Sequence, residues 1–196
     1  MFPPLLGFIP KAADIYPETP ALTQVSVNSL SALYCGQSRP AFFQGVTNVV
    51  ARLFNIVQPT HAFFGEKDYQ QYCVIKQMTK DLFLPIEIIC CPIVRDSSGL
   101  ALSSRNAYLS SKQKQEAASI YLALSTLKTT FQQQPAPTTD ALLKAFHQHL
   151  STSITTDYIN IVNPDTLLPV SQPKLGDRVL FAGYLAKTRL IDTLVL

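Results

Sequence analysis

The chain has 196 residues, of which 47% are hydrophobic and only 15% charged. It is therefore too apolar and too lightly charged for a disordered tail, and long enough to bury a core. A net charge of +3 argues against a dedicated nucleic-acid surface and suits an anionic small ligand. The most apolar run, Leu84 to Ile93, is interrupted by Pro85, Glu87 and Pro92. It falls far short of a membrane span of about 20 residues. The N-terminus lacks the basic region and small-residue cleavage site of a secretory signal.

Residues 1–40 are rich in Pro and Ser with little periodicity and read as loop, with Phe8-Ile9 as the end of a strand. So long an irregular opening leads us to expect that something normally precedes it. From Gln44 to Gln58, Val46, Val49, Val50, Leu53, Phe54 and Val57 recur at helical spacing, and Pro59 ends the pattern. His61 to Phe64 reads as a short buried strand, and Asp68 to Leu82 as a helix with Cys73 or Val74, Ile75, Met78 and Leu82 inward. Ile86 to Cys91 is rich in β-branched residues. Strand, helix and strand in so short a stretch form a βαβ unit with a parallel pair, expected to be covered by helices on both faces.

Asp96-Ser97-Ser98-Gly99 is a turn cluster and an expected domain boundary. Beyond it the pattern predicts one long helix over 112–132, capped by Ser110 or Ser111 and burying Ile120, Leu124, Leu127 and Phe131. A second helix is predicted over 139–149, with Leu142, Leu143, Phe146 and Leu150 inward. Strands follow over 157–162, 178–185 and 188–195, the last two as a hairpin. The fold class is thus α/β: a partial doubly wound parallel sheet over residues 1–95, then a small α+β domain with an antiparallel sheet over 96–196.

The four cysteines, Cys35, Cys73, Cys90 and Cys91, form no Cys-x-x-Cys pair and read as reduced thiols in a cytosolic protein. His147 and His149 lie about 200° apart on a helix and cannot share a metal on one face. Chemistry is concentrated in two clusters. The first is Gly65-Glu66-Lys67-Asp68-Tyr69-Gln70-Gln71. A glycine at the end of a parallel strand, before a helix, is where α/β sheets hold ligands. Gly65 lets a phosphate or ribose approach the backbone, the helix N-terminus favours anions, and Lys67 adds charge. Asp68 can cap the helix or accept from ribose hydroxyls, and Gln71 lies one turn on. The same residues also read as an ordinary charged turn. The second cluster is Leu102-Ser103-Ser104-Arg105-Asn106, two hydroxyls and a guanidinium fit to hold phosphate oxygens; it equally reads as a solvated linker. A third feature is Arg39, held in a loop before the first long helix.

In order and at natural spacing, Arg39-Pro40, Gly45-Val46, Phe54-Asn55-Ile56-Val57-Gln58-Pro59, Phe64-Gly65-Glu66-Lys67-Asp68-Tyr69-Gln70-Gln71, Val94-Arg95, Gly99 to Asn106 and Lys187-Thr188-Arg189-Leu190-Ile191-Asp192 resemble the pantoate–β-alanine ligase (pantothenate synthetase) family. The resemblance runs from about Ala12 to the C-terminus. It implies a Rossmann-like, class I nucleotidyl transferase sheet and an ATP-dependent ligation. Pantoate attacks the α-phosphorus of ATP, giving pantoyl adenylate and pyrophosphate; the β-alanine amine then releases AMP and pantothenate. By resemblance, Gly65, Glu66, Lys67, Asp68, Val94, Leu102, Ser103, Ser104 and Arg105 bind ATP. Lys67 meets phosphate and Asp68 the ribose, and Val94 contacts adenine through its backbone. Ser103, Ser104 and Arg105 stabilise the developing pyrophosphate, Gln71 binds pantoate, and Arg39 closes the site. Mg²⁺ held mainly by phosphates, a homodimer and the cytoplasm are likewise implied, with neither nucleic acid nor membrane as partner. The family's His-x-Gly-His phosphate motif is absent, and Ala41 and Phe42 stand where Gly and His are usual. Leu5 to Pro10 is expected to be the remnant of a strand of an N-terminally truncated first domain, and the chain alone to be impaired. Two other readings are a non-catalytic dimerising or nucleotide-binding fragment and an adenylyl transferase for another acid.

Overall fold

The computed structural model describes residues 7–18 and 21–196. They pack as two compact units: one reaches Ala62 and resumes over Val74–Glu87, and the other comprises Phe63–Cys73 with Ile88–Leu196.

In the first unit the expected loop contains three single-turn helices, α1 (Ala12–Ile15), α2 (Asn28–Ser31) and α3 (Cys35–Ser38), each burying one or two residues. At the start of α1 the Lys11 amide donates to the Asp14 carboxylate (2.7 Å), and the Asp14 amide to the Lys11 carbonyl (3.0 Å). Proline punctuation alone misses such turns, because one helical turn has no periodicity to read. The strand expected near Phe8-Ile9 is not formed: Gly7 to Pro10 is irregular and Ile9 is 93% exposed. Leu5 and Leu6, part of the same expectation, lie outside the described residues.

Helix α4 (Phe42–Val57) ends where Gln58 turns left-handed (φ 49°) before Pro59. Its buried face is Phe43, Thr47, Ala51 and Phe54, not the valine stripe of the pattern. Val46, Val49 and Val50 are half-buried and Val57 is exposed. The rotation follows from Thr47, whose hydroxyl donates to the Val25 carbonyl (2.6 Å) and to its own helix at Phe43 (3.0 Å). A satisfied hydroxyl can be fully buried.

Strand β1 (His61–Gly65) pairs in parallel with β2 (Glu87–Cys91) across a 3₁₀ turn (Glu66–Asp68) and helix α5 (Tyr69–Asp81). Cys73, Val74, Ile75 and Met78 are buried as expected, but Leu82 lies past the helix end and is half exposed. Among the described residues the pair is not covered on both faces. Alternate β1 residues are exposed, and Phe63 is 66% accessible.

The second half of the chain forms a three-stranded antiparallel sheet in the order β3 (Ile154–Val162), β4 (Arg178–Leu185), β5 (Thr188–Val195). Strand β3 begins three residues before the expected start. A bulge between Thr156 and Tyr158 leaves Asp157 out of register, and its carboxylate accepts two bonds from Arg189, at 3.0 and 2.7 Å. The helix expected over 112–132 is two, α6 (Ser111–Ala117) and α7 (Ser119–Gln133). The break falls at Ser119. The Ser119 hydroxyl donates to the Glu116 carbonyl (2.6 Å) and accepts from the Ser151 amide (3.0 Å), competing with the helix's own bonding. Ser110 caps α6 in a reciprocal box with Gln113. Helices α7 and α8 (Thr139–His149) lie on the sheet. Leu124, Leu127, Leu142 and Phe146 are fully buried against Ile161, Val179 and Phe181, each such side chain contributing about 1.5–3 kcal/mol. The Phe146 and Phe181 rings meet at 5.3 Å.

Candidate active site

The expected ligand corner belongs to the second unit. Strand β1 ends at Gly65, the chain makes its 3₁₀ turn, and α5 starts at Tyr69. Gly65 has ordinary extended backbone (φ −69°), and a Cβ built on it would meet no protein atom within 4 Å. Packing therefore does not demand glycine there; the open space lies outside the chain. Lys67 is largely buried, with its ammonium 3.6 Å from the Asp68 carboxylate. Asp68 closes the turn. Gln71 is half-buried one turn into α5.

The second cluster follows a tight loop. Arg95 bridges Ala101 in antiparallel fashion, and the Leu102 amide donates to the Val94 carbonyl (2.9 Å). At its tip the Asp96 carboxylate accepts from the Ser98 amide (2.9 Å), the Ser98 hydroxyl (2.6 Å) and the Leu100 amide (3.2 Å). These bonds, chiefly that from the Ser98 hydroxyl, hold the Asp96 carboxyl below its usual range. A carboxyl depressed in the folded state stabilises above its unfolded value near 3.9 and loses that contribution as pH falls through the folded value. The Ser98 and Leu100 amide resonances should therefore titrate with a midpoint below about 3.9, and Ser98→Ala should move it upward; an unchanged midpoint contradicts this reading.

Ser103 caps the following 3₁₀ segment (Ser104–Tyr108), accepting from the Arg105 amide at 3.2 Å. The Asn106 amide group donates to the Ala101 carbonyl (3.0 Å). Ser104 and Arg105 are exposed.

The structure brings Lys67, Ser103 and Arg105 to one narrow cleft, shared with Asn106, Arg189 and Asp192. Leu102, Ser103 and Ser104 line a wider adjoining depression with Asp96 and Lys114. Val94 and Leu102 are both more than half exposed. Glu66 faces elsewhere: its carboxylate accepts from Arg178 at 2.7 Å. Arg39 belongs to the first unit, where its guanidinium stacks 3.7 Å from the centre of the Phe42 ring.

Two further residues shape the site. Asp192, with its side chain 3% exposed, holds Arg95 through two bonds of 2.6 and 2.9 Å and accepts from the Thr193 amide (2.8 Å). Burial pushes its carboxyl above the usual range, against the pull of Arg95. Arg178 stands in β4. Asp192 has a sequence signal, its place at the end of Lys187 to Asp192; Arg178 has none, being one arginine in a strand pattern. No group of three or more His, Cys, Asp or Glu among the described residues is placed to hold a metal ion.

A strand–turn–helix corner of a parallel pair, here sharing a cleft with a Ser-Ser-Arg loop, is where proteins of the α/β class hold ligands. The family model for pantoate–β-alanine ligase matches residues 5–195. Curated pantothenate synthetases from Hahella chejuensis and Acinetobacter baylyi are 44% and 47% identical over 96% and 95% of this chain, which spans 67% and 66% of their lengths. The crystal structure of the Thermus thermophilus enzyme superposes with a TM-score of 0.89 at 44% identity, covering 94% of this chain and 67% of that one. The Francisella tularensis pantoate–β-alanine ligase, solved with a β,γ-ATP compound and β-alanine, gives 0.69 at 34% identity, covering 93% and 61%. The chain belongs to the pantoate–β-alanine ligase family.

Proposed function

We propose that this chain carries the ATP-side machinery of a pantoate–β-alanine ligase, joining pantoate to β-alanine through pantoyl adenylate with release of AMP and pyrophosphate. The observation that supports it best is the convergence of Lys67, Ser103 and Arg105 on one cleft. Adenylation needs little acid–base assistance. It needs phosphate charge neutralised and the carboxylate held in line with the α-phosphorus. Lys67 and Arg105 supply two cationic donors, and Ser103 and Ser104 supply hydroxyl and amide donors for the leaving pyrophosphate. Asp68 takes the ribose, the open side of Gly65 admits the phosphates, and Val94 and Leu102 flank the base. Gln71 binds pantoate, and Arg39 acts from the loop before α4. Magnesium, carried by the polyphosphate, would supply further charge neutralisation. The same reading divides the function near residue 95, and takes the enzyme to be a cytoplasmic homodimer. No helix among the described residues is long and apolar enough to cross a membrane.

Titration calorimetry of the 196-residue chain with ATP and magnesium tests the site. Lys67→Ala and Arg105→Ala should each weaken binding about tenfold or more, the loss of one charge-assisted contact. Unchanged affinity in both variants overturns the assignment. The His-x-Gly-His motif is not among these residues, so β-alanine-dependent AMP formation by this polypeptide is expected to be impaired. Turnover equal to a full-length relative's would overturn that expectation, while ATP binding without turnover is the nucleotide-binding-fragment outcome.

A further inference from the structure

We infer that Arg178 is a positioning residue for the phosphate-contacting corner, acting on Lys67 through Glu66. This inference rests on the nucleotide reading above. Lys67 and Asp68 lie between Glu66 and Tyr69, and Arg178 grips both flanking residues. Its guanidinium donates to the Glu66 carboxylate at 2.7 Å and stacks 3.8 Å from the centre of the Tyr69 ring. Arg178 itself sits at the start of β4, in register with Val162 of β3 and Val195 of β5. The Tyr69 hydroxyl donates to the Pro164 carbonyl (3.1 Å), just past the end of β3. The turn thus rests on the antiparallel sheet through side chains of both its flanks.

Within the turn itself Lys67 pairs with Asp68, at 3.6 Å. The 3₁₀ turn has no side-chain cap, and Gly65 before it is unconfined. The Arg178 side chain is 10% exposed, and its Nε is buried without a hydrogen-bond partner. A buried, incompletely satisfied guanidinium is a poor device for stability alone. It is a good one for fixing the direction of a turn, because a planar cation holds a carboxylate and a ring face at once. Glu66, assigned to ATP by resemblance, is on this view an orienting residue whose carboxylate is engaged within the protein. A corner released from the sheet leaves Lys67 with its charge and without its direction, and small misplacements of a charged group weaken transition-state and ligand contacts steeply.

The test is calorimetric titration of the full 196-residue chain with ATP and magnesium, with a urea unfolding curve for each variant. Arg178→Met should weaken ATP binding about tenfold. Lys67→Ala/Arg178→Met should bind no more weakly than Lys67→Ala alone, since Arg178 acts through Lys67. Glu66→Ala should reproduce the Arg178→Met loss, and Glu66→Gln, which keeps an acceptor oxygen, should recover most of it. Should Arg178→Met fail to fold, the two Glu66 variants decide. Additive losses in the double variant, or full affinity in Arg178→Met or Glu66→Ala with only a lowered unfolding midpoint, overturn the inference. If Lys67→Ala itself leaves ATP binding unchanged, this inference falls; if Arg105→Ala does so too, or the parent chain binds no ATP, the nucleotide reading falls with it. If Lys67→Ala weakens binding and the Arg178 and Glu66 variants do not, this inference alone falls.

Discussion

Asp192→Ala should lower the unfolding free energy of the second unit by about 3–5 kcal/mol, because it strands a buried guanidinium. Asp192 meets Arg95 through two bonds of 2.6 and 2.9 Å, and the side chains are 3% and 16% exposed. Arg95 would keep only its bond to the Gly99 carbonyl (3.1 Å) and its place over the Tyr121 ring (4.0 Å). Arginine cannot shed its proton to escape burial, so in this variant the stranded charge persists at every pH. The reciprocal change behaves differently. In Arg95→Met the orphan is a carboxyl that burial already pushes upward, and it can take up a proton. A group raised in the folded state stabilises fully below its unfolded value and loses that contribution as pH rises through the folded one. Arg95→Met should therefore be milder at about pH 5 than at about pH 8. The paired replacement Arg95→Met/Asp192→Leu should recover much of the stability of either single variant, since an apolar pair replaces a desolvated ionic one. Equal pH profiles for the two single variants in urea unfolding would show that the pair is not coupled as described.

Gly36→Ala should be comparably damaging, at about 3 kcal/mol or more, and confined to the first unit. A Cβ on Gly36 would stand 1.6 Å from the Ser31 carbonyl oxygen and 2.7 Å from its carbon, both backbone atoms with no rotamer to relieve the clash. The surrounding chain has little slack. Gly36 donates to Leu33 (2.8 Å), Gln37 donates to Tyr34 (3.0 Å), and Tyr34 already holds a left-handed φ of 42°. By contrast Gly65→Ala meets no atom and should leave stability unchanged. Amide exchange followed residue by residue checks the contrast: in Gly36→Ala, protection should fall across α3 and α4 and persist in β3–β5. Full protection of α4 would show that the crowded turn relaxes freely.

The elements with long, regular burial were legible in the sequence. Helix α8 and strands β4 and β5 stand where the sequence places them: α8 keeps Leu142 and Phe146 on one buried face, and β4 is a nearly continuous buried run joined to β5 by a short turn. The errors have particular causes. Thr47 hides a buried face because a polar residue is excluded from an apolar stripe, yet its hydroxyl is satisfied inside the fold. Ser119 breaks a helix through a bond to Ser151, 32 residues away, which no local pattern contains. At the candidate site, the corner and the Ser-Ser-Arg loop were visible as motifs, and the cleft that Lys67 and Arg105 share needed the fold. Arg178 could not be read at all, since its meaning lies in reaching Glu66 from a separation of 112 residues.

The hairpin joining β4 and β5 turns in two residues, with Leu185 opposite Thr188 and Ala186 at a left-handed φ of 52°. That short reversal sets the phase of both strands, and Arg178 and Asp192 lie one on each. Side chains alternate between faces along a strand, so an odd insertion at the turn that slips β5 by one residue would exchange inside for outside along β5. Asp192 would then swing away from Arg95, while Arg178 stays where the pairing of β4 with β3 holds it. The same turn lines one depression with Arg105, so changes of its length should be a more severe lesion than changes of its composition.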